Sequence, residues 1–184
     1  MPPGRSTRPT SDRTREGLFA AVTASRGGLD GARVLDLYAG SGAVGLESLS
    51  RGAADVLMVE SDPRAARVIR ENITALGLPG ARLVTDRAER ALARGPGGTT
   101  RDFVFADPPY AVSNLDLERV LAALVTGGWL AAGALVVVER SARSDPPNWP
   151  AGYLGDRCRR YGEAVLWYGH AGGPDLATGP ETGA

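Results

Sequence analysis

Short apolar runs alternate with longer amphipathic stretches along this chain. Val34, Leu35 and Leu37 form the first run, too brief for a helix, and predict a buried strand over Arg33 to Leu37. Similar runs predict strands over Val56 to Val59, Arg82 to Thr85, Phe103 to Ala106 and Leu135 to Val138. Between them, helical spacing appears after Gly42, with Val44, Leu46 and Leu49 apolar and a stop near Gly52. A second helix spans Asp62 to Leu76, with Pro63 in its first turn and Gly77 after its end, as helix boundaries prefer. A short helix follows Asp86 and reaches Arg94, and another covers about Asp116 to Thr126. Ahead of the first strand a helix begins at Asp12, with Thr10 or Ser11 as N-cap and Leu18, Phe19 and Val22 on its apolar face. Asp156 to Tyr161 and Glu163 to Tyr168 are joined at Gly162 with hairpin spacing. The pattern predicts an α/β, Rossmann-like fold: a mainly parallel seven-stranded sheet with an antiparallel edge hairpin and helices on both faces.

The segments outside this pattern lack apolar periodicity. Residues 1–11, rich in Pro, Ser, Thr and Arg, read as an extended arm, and residues 171–184 as a disordered tail. Residues 12–170 form one domain, without an internal repeat.

Composition narrows the chemistry. Among 184 residues, 43% are hydrophobic and 23% charged, ordinary values for a globular domain. No apolar run approaches membrane-spanning length, and the N-terminus lacks a signal-peptide core, so the expected location is the cytoplasm. Cys158 is the single cysteine and His170 the single histidine, which excludes an internal disulfide and leaves too few ligands for a zinc site; no metal is expected. Net charge is zero, and all 21 basic residues are arginine. Long-range attraction to polyanions must therefore come from local clusters.

Gly40-Ser41-Gly42 interrupts the first strand-to-helix passage, and with Gly45 it satisfies Gly-x-Gly-x-x-Gly, a pattern shared with dinucleotide sites. Asp36, inside the preceding strand, changes that reading. A pyrophosphate has no use for an anion there, whereas S-adenosylmethionine carries an ammonium, a sulfonium and no phosphate. Glu60 ends the second strand about 20 residues past the first glycine, where an acidic residue can bind ribose hydroxyls. Asp86, with Arg87 and Ala88, ends the third strand beside the place an adenine ring would reach; helix capping explains Asp86 almost as well.

Asp107-Pro108-Pro109-Tyr110 is the sharpest feature. Two prolines stiffen the backbone and remove two amide donors. Asp107 and the Pro108 carbonyl can accept hydrogen bonds from an exocyclic amine, and Tyr110 offers a face for a base taken out of its stack. Arg5, Arg8, Arg13 and Arg15, together with Arg140, Arg143, Arg157, Arg159 and Arg160, are candidate phosphate contacts.

Asp36 to Gly42, Glu60, Asp86 and Asp107 to Tyr110 resemble the class I S-adenosylmethionine-dependent methyltransferase pattern, in the version found in enzymes acting on adenine N6 or guanine N2. More narrowly, Arg8-Pro-Thr-Ser-Asp-Arg13, Arg15-Glu16 and Leu18-Phe19, followed by the glycine turn, are similar to the RsmD-type 16S ribosomal RNA guanine-N2 methyltransferases. Leu46-Glu47-Ser48-Leu49-Ser50-Arg51-Gly52-Ala53 and Gly128-Trp129-Leu130 fit as well, so the resemblance covers roughly Arg8 to Tyr168. It implies S-adenosylmethionine held by Asp36, Tyr38, Ala39, Gly40, Ser41, Gly42, Glu60, Ser61, Asp86, Arg87 and Ala88, with Thr10 and Arg13 closing over it. It also implies catalysis at Asp107, Pro108, Pro109 and Tyr110, on 16S rRNA in an assembling small subunit, by a monomer. Two departures are visible: only a few residues precede the Arg-Pro-Thr segment, where the family usually has a Gly- and Arg-rich hairpin, and Gly17 sits within the first helix. A DNA adenine-N6 methyltransferase, a nicotinamide-binding oxidoreductase and a cofactor-binding assembly factor are the competing readings. The first needs a target-recognition region, the second rests on the glycine pattern alone, and the intact Asp-Pro-Pro-Tyr argues against the third.

Overall fold

The computed structural model describes residues 11–172. Its helices are α1 (Asp12–Arg26), α2 (Ala43–Ser50), α3 (Pro63–Leu76), α4 (Ala88–Ala93) and α5 (Asn114–Thr126). The strands are β1 (Arg33–Leu37), β2 (Asp55–Glu60), β3 (Ala81–Thr85), β4 (Arg101–Ala106), β5 (Leu130–Ser141), β6 (Tyr153–Tyr161) and β7 (Ala164–Ala171). They build one sheet in the order β3-β2-β1-β4-β5-β7-β6, with β1 to β5 parallel and β7 antiparallel between β5 and β6. From β1 the chain moves outward through β2 and β3, then returns to the other flank of β1 as β4. That reversal opens a crevice at the carboxyl ends of β1 and β4, where ligands of open α/β sheets bind.

Alternation along the strands separates two apolar layers. Val34, Val56, Met58, Phe103, Phe105, Leu135 and Val137 pack with Leu18, Phe19 and Val22 of α1, Leu49 of α2 and Ile69 of α3. Leu35, Leu37, Val59, Val104, Ala106, Val136 and Val138 pack on the opposite face with Leu92 of α4 and Leu117, Leu121 and Leu124 of α5. The ends of α1 follow capping chemistry: Ser11 accepts the Thr14 N–H at 3.2 Å, and Gly27 closes the helix at φ 78°. Thr10, the other candidate cap, lies outside the described residues.

The edge region extends beyond its expected bounds. β5 starts at Leu130 rather than Leu135, because Arg101 pairs with Leu130 before a register shift leads to Phe103 opposite Leu135. Ala131, Ala132 and Gly133 are poor strand formers, which hides this extension in the sequence. β6 starts at Tyr153, and β7 runs on to Ala171, its pairing partner; the domain therefore includes one residue assigned to the tail. Trp149, in the loop before β6, lies across the hairpin: a Cβ at Gly155 or Gly169 would fall within 2.9 Å of its ring. Glycine is needed in both strands because an indole occupies the adjoining space.

Gly17 has a similar explanation. A Cβ there would stand 2.3 Å from the Tyr161 ring, so α1 uses glycine where β6 presents an aromatic side chain.

Candidate active site

The glycine turn is closed by its own carboxylates. Gly40 donates its N–H to Glu60 at 2.7 Å, Gly42 to the Ala39 carbonyl at 2.8 Å, and Gly45 to Asp36 at 2.9 Å. Tyr38 (φ 59°), Gly40 and Gly42 adopt left-handed backbone conformations, the first a strained one for a bulky residue. A Cβ at Gly45 would meet Met58 Cγ at 2.7 Å, so the third glycine permits close approach of α2 to β2. The Glu60 carboxylate also accepts the Asp62 N–H at 2.7 Å, holding the strand end against the turn.

Asp36 is 1% exposed, and burial pushes its carboxyl up to about 7; the Gly45 hydrogen bond opposes that rise and nearby Glu60 adds to it. This environment distinguishes the two ligands that the glycine pattern allows. A pyrophosphate needs free amides and positive charge, yet the Gly40, Gly42 and Gly45 amides already have acceptors and the flanking charge is anionic. An ammonium or sulfonium fits these anionic acceptors. The residues present therefore suit S-adenosylmethionine and not a dinucleotide.

At the end of β3, Asp86 accepts the Arg87 N–H at 2.8 Å and is ion-paired with Arg94. The N-cap of α4 is Arg87, without a side-chain cap, so helix capping does not account for Asp86. Ala88 is buried, while Ser41, Ser61 and Arg87 are exposed around the crevice. A cleft of about 310 Å3 at Arg87 is lined further by Glu89, Arg90, Asp116 and Arg119.

Asp107 extends the β4 ladder by one step, donating its N–H to the Leu37 carbonyl at 3.3 Å. Its carboxyl stands well above the usual range, first through burial, then through the negative charges of Glu139 and Asp36, with Arg140 pulling the other way. Pro108 is buried, and the Pro109 carbonyl accepts the Val112 N–H at 2.9 Å, which closes the turn. Tyr110 is 78% exposed and borders a cleft of about 480 Å3 with Ser141, Arg143, Ser144 and Glu163. Glu139 is absent from the sequence reading. The pairing of Ala106 with Val138 brings it beside Asp107, and that register is not visible in one sequence.

The candidate phosphate contacts divide. Arg140 is a correction: it is 9% exposed, and Nη2 donates to the Val112 carbonyl at 3.2 Å and Asn114 Oδ1 at 3.3 Å. Nη2 is thus engaged within the protein rather than offered to a phosphate. Arg15 pairs with Glu47 at 2.6 Å and Asp12 at 2.8 Å, joining α1 to α2. Arg13 is exposed, as are Arg157, Arg159 and Arg160 on β6; Arg143 is 85% exposed and lies 3.5 Å from Glu163. Arg5 and Arg8 fall outside the described residues. No helix among those residues is long and apolar enough to cross a membrane.

A seven-stranded sheet of this order, carrying an acidic glycine turn on β1 and Asp-Pro-Pro-Tyr on β4, defines a class I S-adenosylmethionine-dependent methyltransferase. Within that class the chain belongs to the family described as conserved hypothetical protein 95, whose model matches residues 1–170. It is similar to the ribosomal RNA small subunit methyltransferase D of Escherichia coli K12, with 37% identity over 153 residues, 83% of this chain and 74% of that protein. A putative rRNA methyltransferase of Bacillus subtilis 168, YlbH, is 33% identical over 161 residues, covering 86% and 85%. Among solved structures, the putative methyltransferase yhhF from Escherichia coli superimposes with a TM-score of 0.78 at 34% identity, over 89% of this chain and 88% of that one.

Proposed function

We propose that this chain methylates the exocyclic N2 of a guanine in 16S ribosomal RNA, acting as a cytoplasmic monomer on an assembling small subunit. One observation carries the reading: Asp107-Pro108-Pro109-Tyr110 stands at the carboxyl end of β4, beside the anionic glycine turn and at the mouth of the cleft bordered by Arg143 and Glu163. The relatives named as rRNA methyltransferases, the Escherichia coli one as a small-subunit enzyme, support ribosomal RNA as the substrate class.

Bound S-adenosylmethionine supplies a methyl group on an electron-poor sulfur. Asp36 and Glu60 would hold its positive and ribose ends, and Asp86 would meet its base. The guanine N2 lone pair is delocalised into the ring, so the protein must hold the amine for attack. Asp107 and the Pro108 carbonyl accept the two N–H bonds, which turns the lone pair towards the methyl carbon. Tyr110 stacks on the extruded base. The cofactor would supply the methyl carbon, its S–C bond breaking as the N–C bond forms, and the surplus proton on nitrogen would pass to Asp107 or water. Positioning dominates this reaction, since the sulfonium needs no further activation.

Mass spectrometry of rRNA nucleosides from cells with and without the protein tests the assignment. N2-methylguanosine in small-subunit RNA should fall when the gene is removed, and should return with the wild-type chain but not with Asp107→Ala. Loss of a methylated adenosine instead would overturn the guanine assignment.

A further inference from the structure

Burying a guanidinium carries a desolvation penalty of several kcal/mol; Arg140 offsets part of it through Nη2 and two neutral acceptors, while its Nε has no hydrogen-bond partner among the described residues. The Val112 carbonyl and Asn114 side chain bracket the segment between Tyr110 and α5. Asn114 continues the connection, donating to the Pro146 carbonyl at 2.9 Å in the loop that leads to β6. Arg140 thus joins the β4 loop to β5 from beneath.

Its charge has a second consequence. Asp107 sits beside two anions, Glu139 on β5 and Asp36 on β1, and the positive charge acting on it is Arg140. Burial pulls the Arg140 guanidinium down, and Asp107 and Tyr38 work against that. We infer that Arg140 is a positioning residue for methyl transfer, fixing the loop that carries Asp107 and Tyr110 through its bonds to the Val112 carbonyl and the Asn114 side chain. This inference rests on the function proposed above.

The experiment separates charge from geometry. Arg140→Gln removes the cation, so the acid limb of kcat against pH should move up by about one unit, with a loss of roughly tenfold at neutral pH that recovers in alkali. Arg140→Lys retains charge but not the planar fork; it should keep the acid limb and lose kcat. Glu139→Gln should move the limb down. KM for RNA should stay within about threefold in all three, since Arg140 is no phosphate contact. Carbon-13 NMR titration of the Asp107 carboxyl in wild type and both Arg140 variants gives a readout independent of turnover, and circular dichroism reports folding. A raised KM with kcat intact overturns the inference, as does undiminished kcat in Arg140→Lys. An Asp107 titration unmoved in a folded Arg140→Gln, or in Glu139→Gln if Arg140→Gln does not fold, overturns the effect of its charge. A fully active Asp107→Asn would overturn the carboxylate role, whereas a wild-type protein that transfers no methyl group would overturn the methyl-transfer reading instead.

Discussion

Gly45 donates its backbone N–H to Asp36 at 2.9 Å, so the first turn of α2 is tied to a carboxyl buried in β1. Burial raises that carboxyl to about 7. A cationic ligand favours its ionised form, so affinity for S-adenosylmethionine should rise with pH between about 6 and 8. Asp36→Asn keeps an acceptor for Gly45 and removes the titration; it should bind more weakly, with a flat pH dependence. Calorimetry across that range checks both, and an affinity in the wild type that ignores pH would refute the role given to Asp36.

Folding stability should respond to the same group with the opposite slope. The folded carboxyl binds its proton more tightly than the unfolded one. Its contribution is therefore greatest below the unfolded value of about 4 and is lost as pH rises through 7. Asp36→Asn should consequently melt higher than wild type at pH 8, although its cofactor binding is impaired. A lower melting temperature at that pH would show that the ionised side chain supports the fold.

Gly17 and Tyr161 form a close pair that propensity scales misjudge. In an exposed helix, replacing glycine with alanine gains about 1 kcal/mol. Here a Cβ would lie 2.3 Å from the Tyr161 ring, and overpacking typically costs about 1–3 kcal/mol. Gly17→Ala should thus destabilise the wild type, yet stabilise a Tyr161→Ala background by roughly the helix increment. Urea unfolding of the four proteins measures the coupling; additive effects would remove the steric account.

These pairs show what one sequence can and cannot convey. β1, α3 and the turn at Asp107 were legible because their signals are local: an apolar run, Pro63 before Gly77, two adjacent prolines. The places of the candidate residues Asp36 within β1, Glu60 at the end of β2 and Asp107 just past β4 were legible for the same reason. Glu139 and Arg140 were not, because their meaning depends on register. Adjacent in sequence, they point to opposite sides of β5, one beside Asp107 and the other beneath the Val112 loop. Its place at the exit of β5 suggested a phosphate contact for Arg140, and only the sheet shows it buried. Trp149 escaped notice for a similar reason, since its contacts with Gly155 and Gly169 are made across a hairpin.

Tyr110 offers a direct test of base stacking. The side chain is 78% exposed, so its truncation should leave stability unchanged within about 0.5 kcal/mol. Aromatic–base stacking is worth about 1–3 kcal/mol, which predicts a loss of roughly 5- to 150-fold in kcat/KM for Tyr110→Ala. Tyr110→Phe retains the face and should remain within about threefold of wild type. Steady-state kinetics on small-subunit particles compares them, and equal losses in both variants would assign the effect to the hydroxyl.

Arg101 and Asp55 present the clearest stability prediction. Arg101 is 1% exposed at the start of β4 and ion-paired with Asp55, which also binds Arg82 at 2.7 Å. Burial pushes the Asp55 carboxyl up, but hydrogen bonds from Arg82 and Arg101 outweigh it and hold the group below its usual range. Asp102 behaves alike, held down against its burial by Arg33 at 3.0 Å. A depressed carboxylate contributes stability above its unfolded value of about 4, and that contribution disappears as pH falls through the folded value. Asp36 works against this trend only at higher pH, so the two effects occupy different windows: decline below about pH 4 from the ion pairs, decline towards pH 7 from Asp36. Asp55→Ala strands a buried guanidinium and should cost about 3–5 kcal/mol at neutral pH, with a shallower acid limb than wild type. Chemical unfolding between pH 3 and 8 follows both limbs, and parallel acid limbs in the two proteins would place the acid sensitivity elsewhere.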